Sequence, residues 1–225
     1  MAITSATSGA AANATTSVIT HPASTASGDL IINIVAMDFA AGTSTDNQTF
    51  TELKDEGSVD IWAWIAYKKL TGALASVTIT HVSERFNAVS YRIPAAEWHG
   101  TTVPEITAVA DGTSANPDPP SITPSWGAET GTIFIAIDIS DDAPAPGPVI
   151  SYPTNYTLNQ VDGTSLTSSG YIASAIRITS AATEDPGAFT LTGSEHWRGY
   201  TIAVRGPVLA ATVPFRDKYH QLLPH

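Results

Sequence analysis

Sixteen glycines and fifteen prolines punctuate this chain of 225 residues. They fall between short runs in which apolar side chains alternate. A proline inside a helix removes a hydrogen bond and clashes with the preceding turn, and glycine weakens helix through backbone entropy. No long helix can be threaded through such spacing. Period-two alternation between turn residues is instead the pattern of strands with one face toward a core. Leu30, Ile32, Ile34 and Ala36 share one face of a strand from Leu30 to Met37. Val59 to Leu70 places Ile61, Ala63, Ile65 and Tyr67 on one side and Asp60, Trp62, Trp64, Ala66 and Lys68 on the other. Thr132 to Ile139 repeats the pattern with Ile133, Ile135, Ile137 and Ile139. Short strands at Phe50–Leu53, Val77–Thr80, Ala88–Ile93, Tyr156–Val161, Gly170–Thr179, Ala188–Thr192 and Gly199–Arg205 complete an all-β chain.

The strands fall into two sets in the same order. Ser27-Gly28-Asp29-Leu30 matches Thr130-Gly131-Thr132-Ile133, and Phe50-Thr51 matches Tyr156-Thr157. Val77-Thr78-Ile79-Thr80 matches Phe189-Thr190-Leu191-Thr192, Ser83-Glu84 matches Ser194-Glu195, and each set ends in a strand with an arginine, Arg92 and Arg205. Trp62 and Trp64 then correspond to Tyr171 and Ala173. The offset of roughly 105 residues predicts an internal duplication with halves at about 27–93 and 130–206. One such half exposes two sheet edges and an apolar face, so two halves closing on each other as a single β-sandwich with jelly-roll-like connections is the expected architecture. Residues 94–130 contain Asn116-Pro117-Asp118-Pro119-Pro120 and read as a crossing connection, with no central strand. Residues 1–26, small and rich in Ser, Thr and Ala, read as an edge strand or an arm.

Composition narrows the function classes. Ten Lys+Arg against 21 Asp+Glu give a formal charge of −11, which disfavours nucleic acid and anionic membranes as partners. Cysteine is absent, which excludes a disulfide framework, a thiolate metal site and a cysteine nucleophile. The start of the chain lacks a basic stretch followed by an apolar one, and no apolar run approaches the ~20 residues of a membrane helix. The expectation is a protein made in a bacterial cytoplasm.

At this point a resemblance enters. Gly28-Asp29-Leu30-Ile31, Ala66-Tyr67-Lys68, Ser76-Val77-Thr78-Ile79-Thr80, the run Asn116 to Gly127, Tyr152-Pro153-Thr154-Asn155-Tyr156-Thr157 and Glu184 to Leu191 resemble a family of uncharacterised virion structural proteins of tailed phages and prophages. The resemblance covers residues 27–206. It implies a β-sandwich virion component and brings no catalytic residues.

The chemistry-bearing residues fit no enzyme constellation. There is no Gly-x-Ser-x-Gly elbow and no Gly-Lys-Ser/Thr phosphate loop. His21, His81, His99, His196, His220 and His225 make no i, i+2 or i, i+4 pair, so neither a metal nor any other cofactor is expected. Asp138, Asp141 and Asp142 form the densest acidic cluster, read as a solvated loop that guards a sheet edge, with calcium binding as the alternative. Asp60, Glu84 and Glu195 are the carboxylates a glycosidase would need, but sequence spacing is silent on their separation. Trp62 and Trp64 share a strand face; the first expectation is that they fill the core or lie under the proline-rich connection, and as a candidate aromatic surface they would meet a partner or a sugar ring.

Residues 207–225 carry Val213, Phe215, Arg216, Tyr219, Leu222 and Leu223 beyond the last strand. They are expected to form an assembly arm that orders on a neighbouring subunit, the alternative being a tail folded back on its own sandwich. The expected function is therefore non-enzymatic. The chain is read as a phage virion protein, foremost a capsid decoration (cement) protein that is homo-oligomeric and contacts the major capsid protein or tail proteins. A tail component and a carbohydrate-binding receptor module are the alternatives.

Overall fold

The computed structural model describes residues 2–38, 42–58, 60–141, 149–163 and 170–208. The described residues contain no helix and build several antiparallel sheets, so the chain is all-β. The strands are β1 (Thr4–Thr20), β2 (Leu30–Met37), β3 (Thr45–Asp46), β4 (Thr51–Ser58), β5 (Ile61–Lys69), β6 (Ser76–Ile93), β7 (Glu105–Ile106), β8 (Ala110–Ser114), β9 (Thr132–Ser140), β10 (Val149–Ser151), β11 (Thr157–Asp162), β12 (Tyr171–Thr179), β13 (Thr190–Leu191) and β14 (Glu195–Val204). The first sheet runs β1-β6-β2-β5-β4, with β3 added to β6. The second runs β11-β12-β9-β14-β7, with β8 also on β14.

The alternating residues of the central strands meet between the sheets. Leu30, Ile32, Ile34 and Ala36 of β2, Ile61, Ala63 and Ile65 of β5, and Val89, Tyr91 and Ile93 of β6 pack against Ile133, Ile135, Ile137 and Ile139 of β9, Ile172 and Ile176 of β12, and Tyr200, Ile202 and Val204 of β14. Fully burying an aliphatic side chain of this size stabilises by roughly 1.5–3 kcal/mol, so this layer supplies the main driving force. It is one sandwich core shared by both halves of the sequence.

The outward faces are covered too, which explains why β2 and β9 read as nearly continuous apolar runs rather than clean alternation. On the first sheet the cover is the distal part of the β1–β6 ribbon. The Thr20 amide donates to Ser8 Oγ at 2.9 Å although twelve residues separate them. A straight strand would hold those residues ~40 Å apart, so the ribbon doubles back. Ile19, Val77 and Ile79 thereby land on Ile31, Val35, Trp62, Trp64 and Phe86. On the second sheet, β10 and β13 bring Val149, Phe189 and Leu191 over Tyr171, Ala173 and Ala175. The proline-rich connection completes that cover: Phe189 and Leu191 amides donate to the carbonyls of Pro117 and Ala115, both at 2.8 Å, and Thr201 Oγ1 donates to the Pro120 carbonyl at 2.6 Å. The connection also carries two short edge strands, β7 and β8, that the reading of residues 94–130 as irregular did not include. They precede the prolines and add only to the flank of β14.

The strand order of one sheet recurs in the other. β6-β2-β5-β4 stands against β14-β9-β12-β11, and β3 and β10 occupy matching places. Registers agree: Leu30 pairs with Lys69 and Ile93, Ile133 with Ile178 and Val204. By that register Trp62 stands where Tyr171 does and Trp64 where Ala173 does. Left-handed backbone recurs as well, at Gly28 and Gly131 before the first strand and at Thr49 and Asn155 before β4 and β11. One sequence match fails: register places Arg92 opposite Ile31 and equates it with Ala203, so Arg205 lies two residues too far along.

Candidate functional site

Two polar clusters interrupt the apolar layers. The first lies where β4, β8 and β14 converge at one end of the sandwich. Arg198, in the inward register of β14, is buried, with its Nη2 3.5 Å from Glu56 of β4 and its Nε 3.8 Å from Asp111 of β8. Next along β14, His196 bridges two carboxylates, Nε2 to Asp111 at 2.9 Å and Nδ1 to Asp60 at 3.2 Å. Tyr200 donates its hydroxyl to Glu56 at 3.1 Å, and Lys54 lies over the Tyr200 ring. Burial pushes the Tyr200 phenol far above its ordinary range, reinforced by the Glu56 charge and opposed by Arg198. The three carboxylates are partly exposed, at 35–42% of their side chains. The Tyr200–Glu56 hydrogen bond and the Arg198–Glu56 ion pair make this a clasp between the two sheets, although Arg198 Nε and Nη1 make no hydrogen bond. The equivalent corner of the other half is closed differently. There Asp162 of β11 accepts from the Ala88 amide at 2.9 Å, and Asn87, in the register place of Arg198, donates to the Gly170 carbonyl.

The second cluster lies on the outward face of the second sheet, beneath the proline-rich connection. Asp138 is completely buried. Ser140 donates to its Oδ1 at 2.8 Å, while its Oδ2 has no hydrogen-bond partner. The Tyr171 hydroxyl lies close enough to Asp138 and Ser140 to interact with both, although it makes no hydrogen bond of good geometry. Loss of water around Asp138 pushes its carboxyl up to about 7, against the opposing pull of Ser140 and Tyr171. The register places of these residues in the first sheet are apolar throughout: Val35 for Asp138, Met37 for Ser140, Trp62 for Tyr171, Phe86 for Trp197 and Ala88 for Gly199.

The sequence candidates are distributed as follows. Asp138 is not part of a solvated loop, because β9 continues through Ser140 and carries it under the connection. Asp141 follows directly, its amide donating to the His196 carbonyl, and Asp142 lies outside the described residues. Among the described residues no group of three or more His, Asp or Glu is placed to hold a metal ion. Trp62 and Trp64 are not a surface. They are 8% and 0% exposed, covered by the doubled-back ribbon, with their indole N–H groups donating to Asp55 and Glu52. His21 and His81 are structural. The His21 ring meets the Leu74 carbonyl, the His81 ring meets the Val82 carbonyl and Ser17, and burial lowers both pKa values. Of the glycosidase carboxylates, Asp60 enters the first cluster through His196, and the charge of Glu195 acts on Tyr171, beside Asp138, in the second. Val213, Phe215, Arg216, Tyr219, Leu222 and Leu223 lie outside the described residues. Sequence reasoning missed the Arg198 clasp, since its members come from three strands far apart in the chain. Comparison with protein families, with curated proteins and with solved structures returned no match.

Proposed function

We propose that this chain is a structural protein of a bacteriophage virion that decorates the capsid in many copies, with contacts to the major capsid protein and to other copies of itself. The family resemblance of residues 27–206 is the starting point, and the all-β fold is the kind it implies. The observation that carries the reading furthest is β1. Among the described residues it is an edge strand of 17 residues that pairs with β6 alone, with register shifts in its ladder between Ala10 and Thr16. It contains no charged residue and no proline, in a chain of formal charge −11. Natural edges are usually blunted by charge, proline or a bulge, because an open ladder recruits other chains. The opposite edges follow that practice. β4 carries Glu52, Lys54, Asp55 and Glu56 together with a register shift, and β11 is short, shifted and ends in Asp162. Asp162 of β11 reaches this edge at Ser8 and Gly9; the side chains of β1 itself are uncharged, so a lattice neighbour meets less like-charge repulsion there than along β4. The shared strand order and register also support the reading that the two halves arose by duplication, in which case a single chain brings two similar sheets to the particle.

Labelled antibody or particle reconstruction tests this directly. The expected result is density for the sandwich at capsid lattice points in many copies. A few copies at the tail would overturn the decoration assignment and favour a tail component. Absence from purified particles would overturn the virion reading altogether.

A further inference from the structure

A carboxyl group has been placed where the matching sheet has a valine, and it has been buried there with one oxygen unsatisfied. Burying an ionised carboxylate without partners costs several kcal/mol, whereas the protonated acid can be both donor and acceptor. The Asp138 cluster therefore has two states of very different cost, and the proline-rich connection, packed on Gly199 directly beside Asp138, forms part of the cover that keeps water from it, together with Phe189 and Leu191. That connection is held by few bonds: the two amides of Phe189 and Leu191 to Pro117 and Ala115, and the Thr201 hydroxyl to Pro120. It rests directly on β14 because Gly199 has no side chain. A Cβ there would lie 3.1 Å from the Pro119 Cα.

We propose that residues 115–120 form a proton-controlled lid over the outward face of the second sheet, closed while Asp138 holds its proton and released when Asp138 ionises. The opening would hydrate the carboxylate and expose Tyr171 of β12 and Trp197 of β14, both otherwise buried. The charged groups that face the cluster reinforce the direction. From β12 comes Tyr171, whose own ionisation burial and the Asp138 charge oppose; from β14 comes Glu195, whose negative charge acts on Tyr171. Asp118, the charged residue of the lid, is exposed and lies toward Asp185 rather than toward the cluster. None of these supplies a cation to stabilise ionised Asp138 in the closed state. The first sheet lacks such a device, since Val35, Met37 and Trp62 fill the same places. This inference is independent of the virion reading.

Amide hydrogen exchange on the full chain, corrected for the intrinsic pH dependence of exchange, tests it. The amides to follow are those of Phe189 and Leu191. If the carboxyl titrates near its ordinary ~4 when uncovered and near 7 when covered, linkage predicts about thirtyfold faster exchange at about pH 8.5 than at about pH 5.5. Asp138→Asn and Asp138→Val should both abolish that difference, and the second serves if the first fails to fold. The His21 amide, which bonds the Ala75 carbonyl on the far side of the molecule, should not change with pH in the same way. Three results would overturn the lid: pH-independent exchange in the unaltered protein, a pH effect that persists in either variant, or an equal change at His21.

Discussion

Two of the arginine–carboxylate pairs, Asp29–Arg92 and Glu129–Arg205, offer the sharpest test of how this sandwich is held together. In each the acid stands shortly before the central strand of a sheet, β2 or β9, but one pair is buried and the other is near the surface. Asp29, just before β2, accepts from Arg92 Nε at 2.6 Å, from the Ala26 amide at 2.9 Å and from the Ala95 amide at 3.0 Å. Both side chains of that pair are 4% exposed. Asp29→Ala removes the carboxylate from a buried guanidinium, at a cost of about 3–5 kcal/mol. It also takes the acceptor from two backbone amides, whose partial hydration limits the additional loss. Against a total stability of roughly 5–15 kcal/mol for a single domain, this is about a fifth of the whole or more. The Glu129–Arg205 pair has side chains 34% and 29% exposed. Water replaces the lost partner there, and Glu129→Ala should shift stability far less. The assay is urea unfolding followed by tryptophan fluorescence near neutral pH, with Asp29→Ala, Arg92→Met, the double variant and Glu129→Ala. The double variant should recover most of the Asp29→Ala loss, because no buried charge then remains. Asp29→Ala costing no more than Glu129→Ala would refute the reasoning. So would a double variant as unstable as the sum of the singles.

Three further outcomes follow from the same geometry. Between pH ~4 and about 7 the folded protein keeps a proton on Asp138 that the unfolded chain gives up, so stability should fall as pH rises through that window, by up to about 4 kcal/mol. Asp138→Asn should flatten this slope, and parallel curves for the two proteins would exclude it. His21 and His81 behave oppositely: burial depresses both, so their contribution is present above the unfolded value of about 6.5 and is lost as pH falls. Imidazole resonances that titrate at the ordinary midpoint would contradict this. Gly28→Ala combines a left-handed backbone (φ 88°) with a Cβ only 2.9 Å from Ala95 Cβ and should cost about 1–3 kcal/mol. Gly187→Ala, with φ 75° in open space, should cost only the backbone preference of about 1 kcal/mol; equal thermal shifts for the two would show that Ala95 gives way.

Local periodicity was enough to establish the class of this protein. Alternation in Leu30–Met37, Ile61–Lys69 and Thr132–Ser140, with proline and glycine between, is a property of neighbouring residues and survives without any knowledge of the partner strands. The correspondence of Phe50 with Tyr156 and of Trp62 with Tyr171 was also legible, because turn and strand lengths drift little between the two sets. What lay beyond the sequence was which face of each strand would be covered, and by what. Trp62 and Trp64 alternate with the core residues of β5, and their bulk argues for burial, but only the fold shows that the β1–β6 ribbon, not the proline-rich connection, covers them. Asp138 reads as one of several acids near a loop until β9 extends to Ser140 and the connection closes above it. Arg198, Glu56 and Asp111 come from strands β14, β4 and β8, and no spacing along the chain predicts their meeting. Burial, orphaned oxygens and clasps across sheets depend on contacts between residues of different strands and loops, and those exist only once the ribbon, the connection and the two sheets have packed.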